Sequence, residues 1–298
     1  MEEKGLVVKS IGGLYYAESP LGVLECKARG IFRKQNISPY VGDNVRIEEI
    51  GDGKGVISEI FPRKNSIIRP PLANLDYLIF VVSTCEPLPN YTLLDKFIAT
   101  AEYKKINSMI AVTKRDLKNN DNIAETYKNS GAEVFEIDYS DPISYQRLYD
   151  RIAGKVCAFT GNTGVGKSTL LNHIDAENVR ATGEISHKLG RGRHTTRHVE
   201  LFKLKNGAYI ADTPGFSTFE TNKYDIILKN ELAGCFNEFS EFEGKCRFLD
   251  CSHTKERGCA IIEAVNEGII PKTRHNSYVE MYEEAEQIKE WEIKDRLK

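Results

Sequence analysis

The chain has 298 residues, 28% of them charged and 41% hydrophobic, with a formal net charge of −2. That length accommodates two or three domains with a sizeable core, and the near-zero balance excludes a global attraction to nucleic acid, so any such partner must be met by local patches. No apolar run approaches the length that spans a bilayer, and the start Met1-Glu2-Glu3-Lys4 lacks a signal peptide's apolar segment, so a cytoplasmic protein without a membrane partner is expected.

Residues 1–66 read as all-β. Segments such as Leu6-Val7-Val8, Leu14-Tyr15-Tyr16-Ala17, Gly22 to Cys26, Asn44 to Ile47 and Gly55-Val56-Ile57 are separated by Gly, Pro, Asn and Asp turns. Short strands at this spacing predict a small barrel. Lys27, Arg29, Arg33 and Lys34 are interleaved with Tyr15, Tyr16, Phe32 and Tyr40. On an oligonucleotide-binding barrel these would be phosphate contacts and stacking platforms. The alternative is that the aromatics are core and the charges a solvated face, and composition does not separate the two.

Arg69-Pro70-Pro71 marks a boundary. Beyond it, Asp76 to Val82 predicts a buried strand, Leu93, Leu94, Phe97, Ile98 and Ala101 share one helical face, and Ser108 to Val112 predicts a second buried strand. Strands alternating with helices imply a parallel sheet that binds ligand at the strands' carboxyl ends. Leaving the second strand is Thr113-Lys114-Arg115-Asp116. A carboxylate there can accept hydrogen bonds from guanine N1–H and the 2-amino group while the Lys114 stem packs along the base. Adenine has no matching donor pair, so Asp116 would select GTP over ATP.

Val156 to Thr160 is a further short apolar strand, followed by Gly161-Asn162-Thr163-Gly164-Val165-Gly166-Lys167-Ser168 and then by Thr169-Leu170-Leu171-Asn172-His173-Ile174, which suits a helix. The pattern is that of a phosphate-binding loop. Glycine is required because the backbone must curl with its N–H groups facing an anion, and the helix N-terminus adds partial positive charge. Lys167 would reach the β- and γ-phosphates, and the Ser168 hydroxyl would ligate Mg²⁺ accompanying GTP. Between His187 and His198 stand four Lys or Arg residues and no acid. Thr195 or Thr196 in this stretch could ligate Mg²⁺ and sense the γ-phosphate as a switch does; the alternative is a solvated basic loop. After the strand Ala208 to Ala211, the run Asp212-Thr213-Pro214-Gly215-Phe216 would hold Mg²⁺ through Asp212 and turn the Gly215 N–H towards the γ-phosphate.

The base motif precedes the phosphate loop, the reverse of ordinary small GTPases. A parallel sheet tolerates this if its old termini are joined and a new break opens at the surface. Seven cysteines are present, and Cys246, Cys251 and Cys259 crowd with His253 into fourteen residues. Three thiolates and an imidazole make a closed tetrahedral set for Zn²⁺, a structural rather than catalytic site. Tyr278 to Lys298 predicts a charged helical tail carrying Trp291.

These features together resemble the RsgA family (also called YjeQ or YloQ), the GTPases dependent on the small ribosomal subunit. The resemblance rests on the barrel, on the order Thr113–Asp116, Gly161–Ser168, Asp212–Phe216, on Gly192-Arg193-His194-Thr195-Thr196 and on the spacing of Cys246, Cys251, His253 and Cys259. It implies a multidomain α/β protein: an N-terminal OB-fold β-barrel (1–66), a circularly permuted P-loop GTPase domain (67–222) and a C-terminal, mainly helical zinc-binding domain with a terminal helix (223–298). It also implies a monomer that binds GTP and GDP, the 30S subunit and its 16S rRNA, assists late maturation of that subunit, and hydrolyses GTP with stimulation by it. One structural Zn²⁺ per chain and Mg²⁺ with GTP are the implied cofactors. Thr113 stands where the family has Asn, Asn162-Thr163 replaces its usual x-Ser, and Ser140 is the candidate for the Ser-Ala element beside the base. Phe216 occupies the position of the water-orienting Gln of Ras-like enzymes, so hydrolysis alone is expected to be slow unless a partner, His194 or His198 supplies the missing group. A nucleotide-gated RNA-binding module is the rival reading; the Asp-Thr-Pro-Gly switch and the base motif argue against a kinase.

Overall fold

The computed structural model describes residues 2–117, 122–174, 199–212 and 226–288. The first part is a closed barrel of β1 (Glu2–Ile11), β2 (Leu14–Ser19), β3 (Gly22–Ala28), β4 (Asn44–Gly51) and β5 (Lys54–Ile60), with a one-turn helix α1 (Gly30–Lys34) after β3. The order β1-β2-β3-β5-β4 closes when β4 pairs antiparallel with β1, from Glu2↔Glu48 to Leu6↔Asn44. Val7, Ala17, Leu24, Cys26, Val45, Ile47 and Ile57 alternate inward to fill it, the period-two pattern of a closed barrel, in which every pairing is antiparallel except that of β3 with β5. The aromatic residues divide between the two roles left open by composition. Phe32 is buried in the core and Tyr15 packs against it, whereas Tyr16 lies beside Lys9 and donates to Glu25, and Tyr40 carries the Arg63 guanidinium 4.0 Å over its ring.

A small ribbon, β6 (Ser66–Ile67) with β7 (Leu72–Ala73), brackets the Pro70-Pro71 turn. Then come β8 (Tyr77–Ser83), α2 (Tyr91–Tyr103), β9 (Asn107–Thr113), α3 (Ile123–Tyr127), β10 (Glu133–Glu136), α4 (Pro142–Arg151), β11 (Val156–Thr160), α5 (Lys167–Ile174), β12 (Val199–Lys203) and β13 (Tyr209–Asp212). The sheet order is β10-β9-β8-β11-β13-β12; all strands run parallel except β12. Alternate residues of β8 and β9 serve opposite faces. Leu78, Phe80, Ile110 and Val112 join the core under α2 and α3, while Ile79, Val81, Met109 and Ala111 join the core under α4 and α5. Burial on both sides is why these strands are unbroken apolar runs. The α2 face carries Leu94, Phe97, Ile98 and Ala101 as expected, and its N-terminus is capped by the Asn90 side chain accepting from Leu93 N–H at 2.9 Å. The edge strand β12 pairs with β1 at Lys9↔Glu200 and Ser10↔Val199, so barrel and parallel sheet form one eleven-stranded sheet.

The C-terminal part has α6 (Lys229–Leu232), two short 3₁₀ turns, α7 (Ala260–Asn266) and α8 (Lys272–Glu286) around Phe236, Phe239, Ile261, Tyr278 and Met281. It packs on α2, whose Ala99 belongs to the same core. Among the described residues no helix is long and apolar enough to cross a membrane.

Candidate functional site

The strands β8, β9 and β10 are laid outward in one direction; the chain then returns to place β11 and β13 on the other side of β8. Such a reversal opens a crevice at the carboxyl ends of the strands. The phosphate loop leaves β11 there. Gly161 has φ +139°, and a Cβ on it would lie 2.2 Å from the Val81 carbonyl oxygen, so no other residue fits between loop and β8. Val165 turns its side chain into the core and anchors the loop, while Asn162 is half-buried and Thr163 and Gly164 are exposed. Lys167 donates to the carbonyls of Gly161 and Asn162, the latter at 2.8 Å, which folds its ammonium over the loop. Burial holds it below the ordinary lysine pKa. Ser168 and Thr169 follow in the first turn of α5, where Leu170 N–H bonds to Gly166 O at 2.8 Å.

The base motif lies against this loop. Thr113 is fully buried, and its hydroxyl faces the Val165 carbonyl at 2.5 Å and the Val82 carbonyl at 3.0 Å. It thereby ties the end of β9 to the phosphate loop, although one hydroxyl proton serves only one acceptor fully. Lys114 takes φ +60°; its ammonium donates to the Glu86 carbonyl and its own carbonyl accepts from the Thr84 hydroxyl at 2.9 Å. Arg115 pairs with Glu136 at 2.6 Å, leaving Asp116 exposed at the crevice edge.

Ser140 points its hydroxyl and N–H at the Asp138 carboxylate, 2.5 and 2.8 Å away, and is exposed. The neighbouring Tyr139 is the side chain that turns inward. Its ring stacks on His173 of α5 with centroids 4.6 Å apart, and its hydroxyl lies 3.4 Å from the Gly166 carbonyl. Burial and then the Asp116 charge push its phenol upward in pKa, so it stays protonated. Tyr139 thus lines the site without belonging to any motif; an aromatic between the end of β10 and the Asp141 cap of α4 was its only signal.

Asp212 ends β13, one residue past the Ala158↔Ala211 register pair, at the same sheet edge as the phosphate loop. His194, Thr195, Thr196, His198 and Gly215, with Phe216 and Trp291, lie outside the described residues.

A second site lies in the C-terminal part. The donor atoms of Cys246, Cys251, His253 and Cys259 all lie within 4.8 Å of one another. Cys246 Sγ is 3.9 Å from Cys259 Sγ, and His253 Nδ1 is 3.5 Å from each. Tetrahedral zinc, with Zn–S about 2.3 Å and Zn–N about 2.0 Å, sets edges of about 3.8 Å between sulfurs and about 3.5 Å between sulfur and nitrogen. The donor set and its spacing fit zinc. Burial holds His253 below the usual histidine pKa, which favours the neutral imidazole a metal needs.

Residues 4–57 match the RsgA N-terminal domain and residues 60–222 the RsgA GTPase. The small ribosomal subunit biogenesis GTPase RsgA of Ruminiclostridium cellulolyticum is 42% identical, over 97% of this chain and 96% of its own. YjeQ from Thermotoga maritima superposes with a TM-score of 0.82 at 32% identity, covering 97% of this chain and all of that one. YloQ, described as a circularly permuted GTPase, superposes with a TM-score of 0.78, also at 32% identity, covering 97% and 96%. Identity of this degree over nearly the full length of both partners, with the base motif ahead of the phosphate loop, makes the chain a member of the RsgA GTPase family.

Proposed function

We propose that this protein is a GTPase that binds the 30S ribosomal subunit and assists its late maturation, hydrolysing GTP to GDP and phosphate faster when the subunit is bound. The observation that supports the reading is the Thr113–Val165 link, which holds the end of β9 and the 161–168 loop side by side at the carboxyl end of a parallel sheet. Asp116 reads the base, with Lys114 and Arg115 shaping the edge around it. The N–H groups of Gly161 to Thr169 cradle the phosphates and Lys167 neutralises charge that grows on the γ-phosphoryl oxygens. Ser168, Asp212 and one of Thr195 and Thr196 would hold Mg²⁺, which when bound offsets charge between the β- and γ-phosphates. Gly215 would offer its N–H to the γ-phosphate. Phe216 cannot orient water, so His194, His198 or a group from the subunit completes the site. Cys246, Cys251, His253 and Cys259 hold one structural Zn²⁺.

The working parts are residues 1–66, 67–222 and 223–298, acting as a cytoplasmic monomer with 16S rRNA as the nucleic-acid partner. Steady-state GTP turnover with and without purified 30S subunits tests the proposal. Marked stimulation is expected; binding of subunits with no change in turnover would favour the rival, a nucleotide-gated RNA-binding module.

A further inference from the structure

The metal cluster has two halves of different construction. Cys246 and Cys259 sit on segments clasped by the Arg247 N–H to Gly258 carbonyl bond, 2.9 Å, and Cys259 leads into α7. Cys251 and His253 instead ride on a loop, and His253 takes φ +60°, a conformation L residues disfavour and hold only where surroundings over-determine it. The over-determining group is a carboxylate three residues on. Glu256 Oε1 accepts from the Ser252 N–H at 2.8 Å and from the Ser252 hydroxyl; Oε2 accepts from the N–H groups of Thr254 and Lys255, each at 3.1 Å. The loop is therefore wound around one side chain. From outside, α8 holds it by two further bonds: the Tyr278 hydroxyl donates to the Ser252 carbonyl and His275 Nε2 to the His253 carbonyl, both at 2.8 Å.

We propose that Glu256 is the positioning residue of the metal site. Its carboxylate shapes the 251–256 loop so that Cys251 Sγ and His253 Nδ1 already face the point where Cys246 and Cys259 converge. Glu256 does not ligate; it acts through the ligands, as outer-shell partners of metal sites do. The inference rests on the zinc reading above. The opposing account is that the metal alone shapes the loop and Glu256 merely decorates it.

Zinc affinity of the full chain, measured by competition with a graded chelator, and the absorption of the Co²⁺-loaded protein distinguish the accounts. Glu256→Gln is expected to weaken zinc by about 10- to 100-fold while keeping the tetrahedral Co²⁺ spectrum, since all four ligands remain. Cys251→Ser should change that spectrum. Asp250→Asn removes an exposed negative charge next to Cys251 without touching the loop's hydrogen bonds, and should stay within about threefold of the parent, because screened surface charges act weakly. Parental affinity in Glu256→Gln, or an equal loss in Asp250→Asn, would overturn the inference, the second by tracing the effect to charge alone. If Glu256→Gln does not fold, Ser252→Ala carries the test: the loss of the hydroxyl's charge-assisted bond to Glu256, with its contact to the Thr254 hydroxyl, should weaken zinc by about 3- to 10-fold, and parental affinity there is equally fatal. A parent protein that takes up neither Zn²⁺ nor Co²⁺ would remove the zinc reading itself.

Discussion

On the proposed assignment Lys167 meets the phosphates and Asp116 the base, opposite ends of one ligand, so their substitutions should fail differently. Lys167→Ala removes the cation over the phosphates and is expected to cut GTP hydrolysis by at least about 100-fold, because charge stabilisation supplies most of phosphoryl-transfer catalysis; a folded variant with parental turnover would refute the assignment. Asp116→Asn exchanges one of the two acceptors offered to the base for a donor and should move preference from GTP towards xanthosine triphosphate. Equal affinity of the unsubstituted protein for ATP and GTP, in a competition titration, would remove Asp116 from the site. Thr113 makes the more local prediction. Thr113→Val keeps the shape but strands the buried Val165 carbonyl, which the hydroxyl meets at 2.5 Å. A loss of about 1–2 kcal/mol, or roughly 5- to 30-fold in GDP affinity, is expected.

At the scale of elements, α2 is shared between the nucleotide-binding sheet and the C-terminal part. Its Asp95 is fully buried and meets Arg274 of α8 at 2.8 Å; the same guanidinium, 1% exposed, makes a two-point contact with Glu238 at 2.6 and 3.0 Å. Tyr127 of α3 donates to the same Asp95 oxygen at 2.7 Å. Burial pushes Asp95 up in pKa even with Arg274 beside it. Two buried carboxylates therefore depend on one cation, and Arg274→Ala should destabilise the α2–α8 junction by about 3–5 kcal/mol. Denaturant unfolding followed by hydrogen exchange in α8 measures this; a change below about 1 kcal/mol would show that the junction is held by its apolar contacts alone. The metal loop docks on α8 as well, through Tyr278 and His275. Removing zinc with a chelator, or Cys251→Ser, is thus expected to loosen this same helix, because metal binding energy in a small site is folding energy. Elemental analysis should find one zinc per chain.

For the whole molecule, the net charge of −2 means that the proposed attraction to RNA must come from local clusters. Lys188, Arg191, Arg193 and Arg197 form one with no acid between His187 and His198. Binding to 30S subunits should weaken steeply with salt, each displaced phosphate counterion adding about 0.7–0.9 to the log–log slope. Neutralising Arg191, Arg193 and Arg197 together should flatten that slope by about 2–3 and reduce stimulation of turnover, while the slow intrinsic rate persists. An unstimulated parent enzyme that is already fast would remove the argument from Phe216.

The glycine-rich loop, the grouping of Cys246, Cys251, His253 and Cys259 and the buried strands were legible in the sequence because each is a local code. Glycine spacing sets a backbone concavity, ligand spacing a coordination set, and an unbroken apolar run a strand covered on both faces. Contacts between distant segments carry no such signature. The hydroxyl bridge from Thr113 spans 52 residues, the Arg274–Asp95 pair 179, and β1 meets β12 across most of the nucleotide-binding part. The inward turn of Tyr139 and the division of the barrel aromatics likewise depend on what the tertiary structure packs against them. Periodicity and turn chemistry determine which elements form. Only the packed structure decides which side chains at their ends face one another.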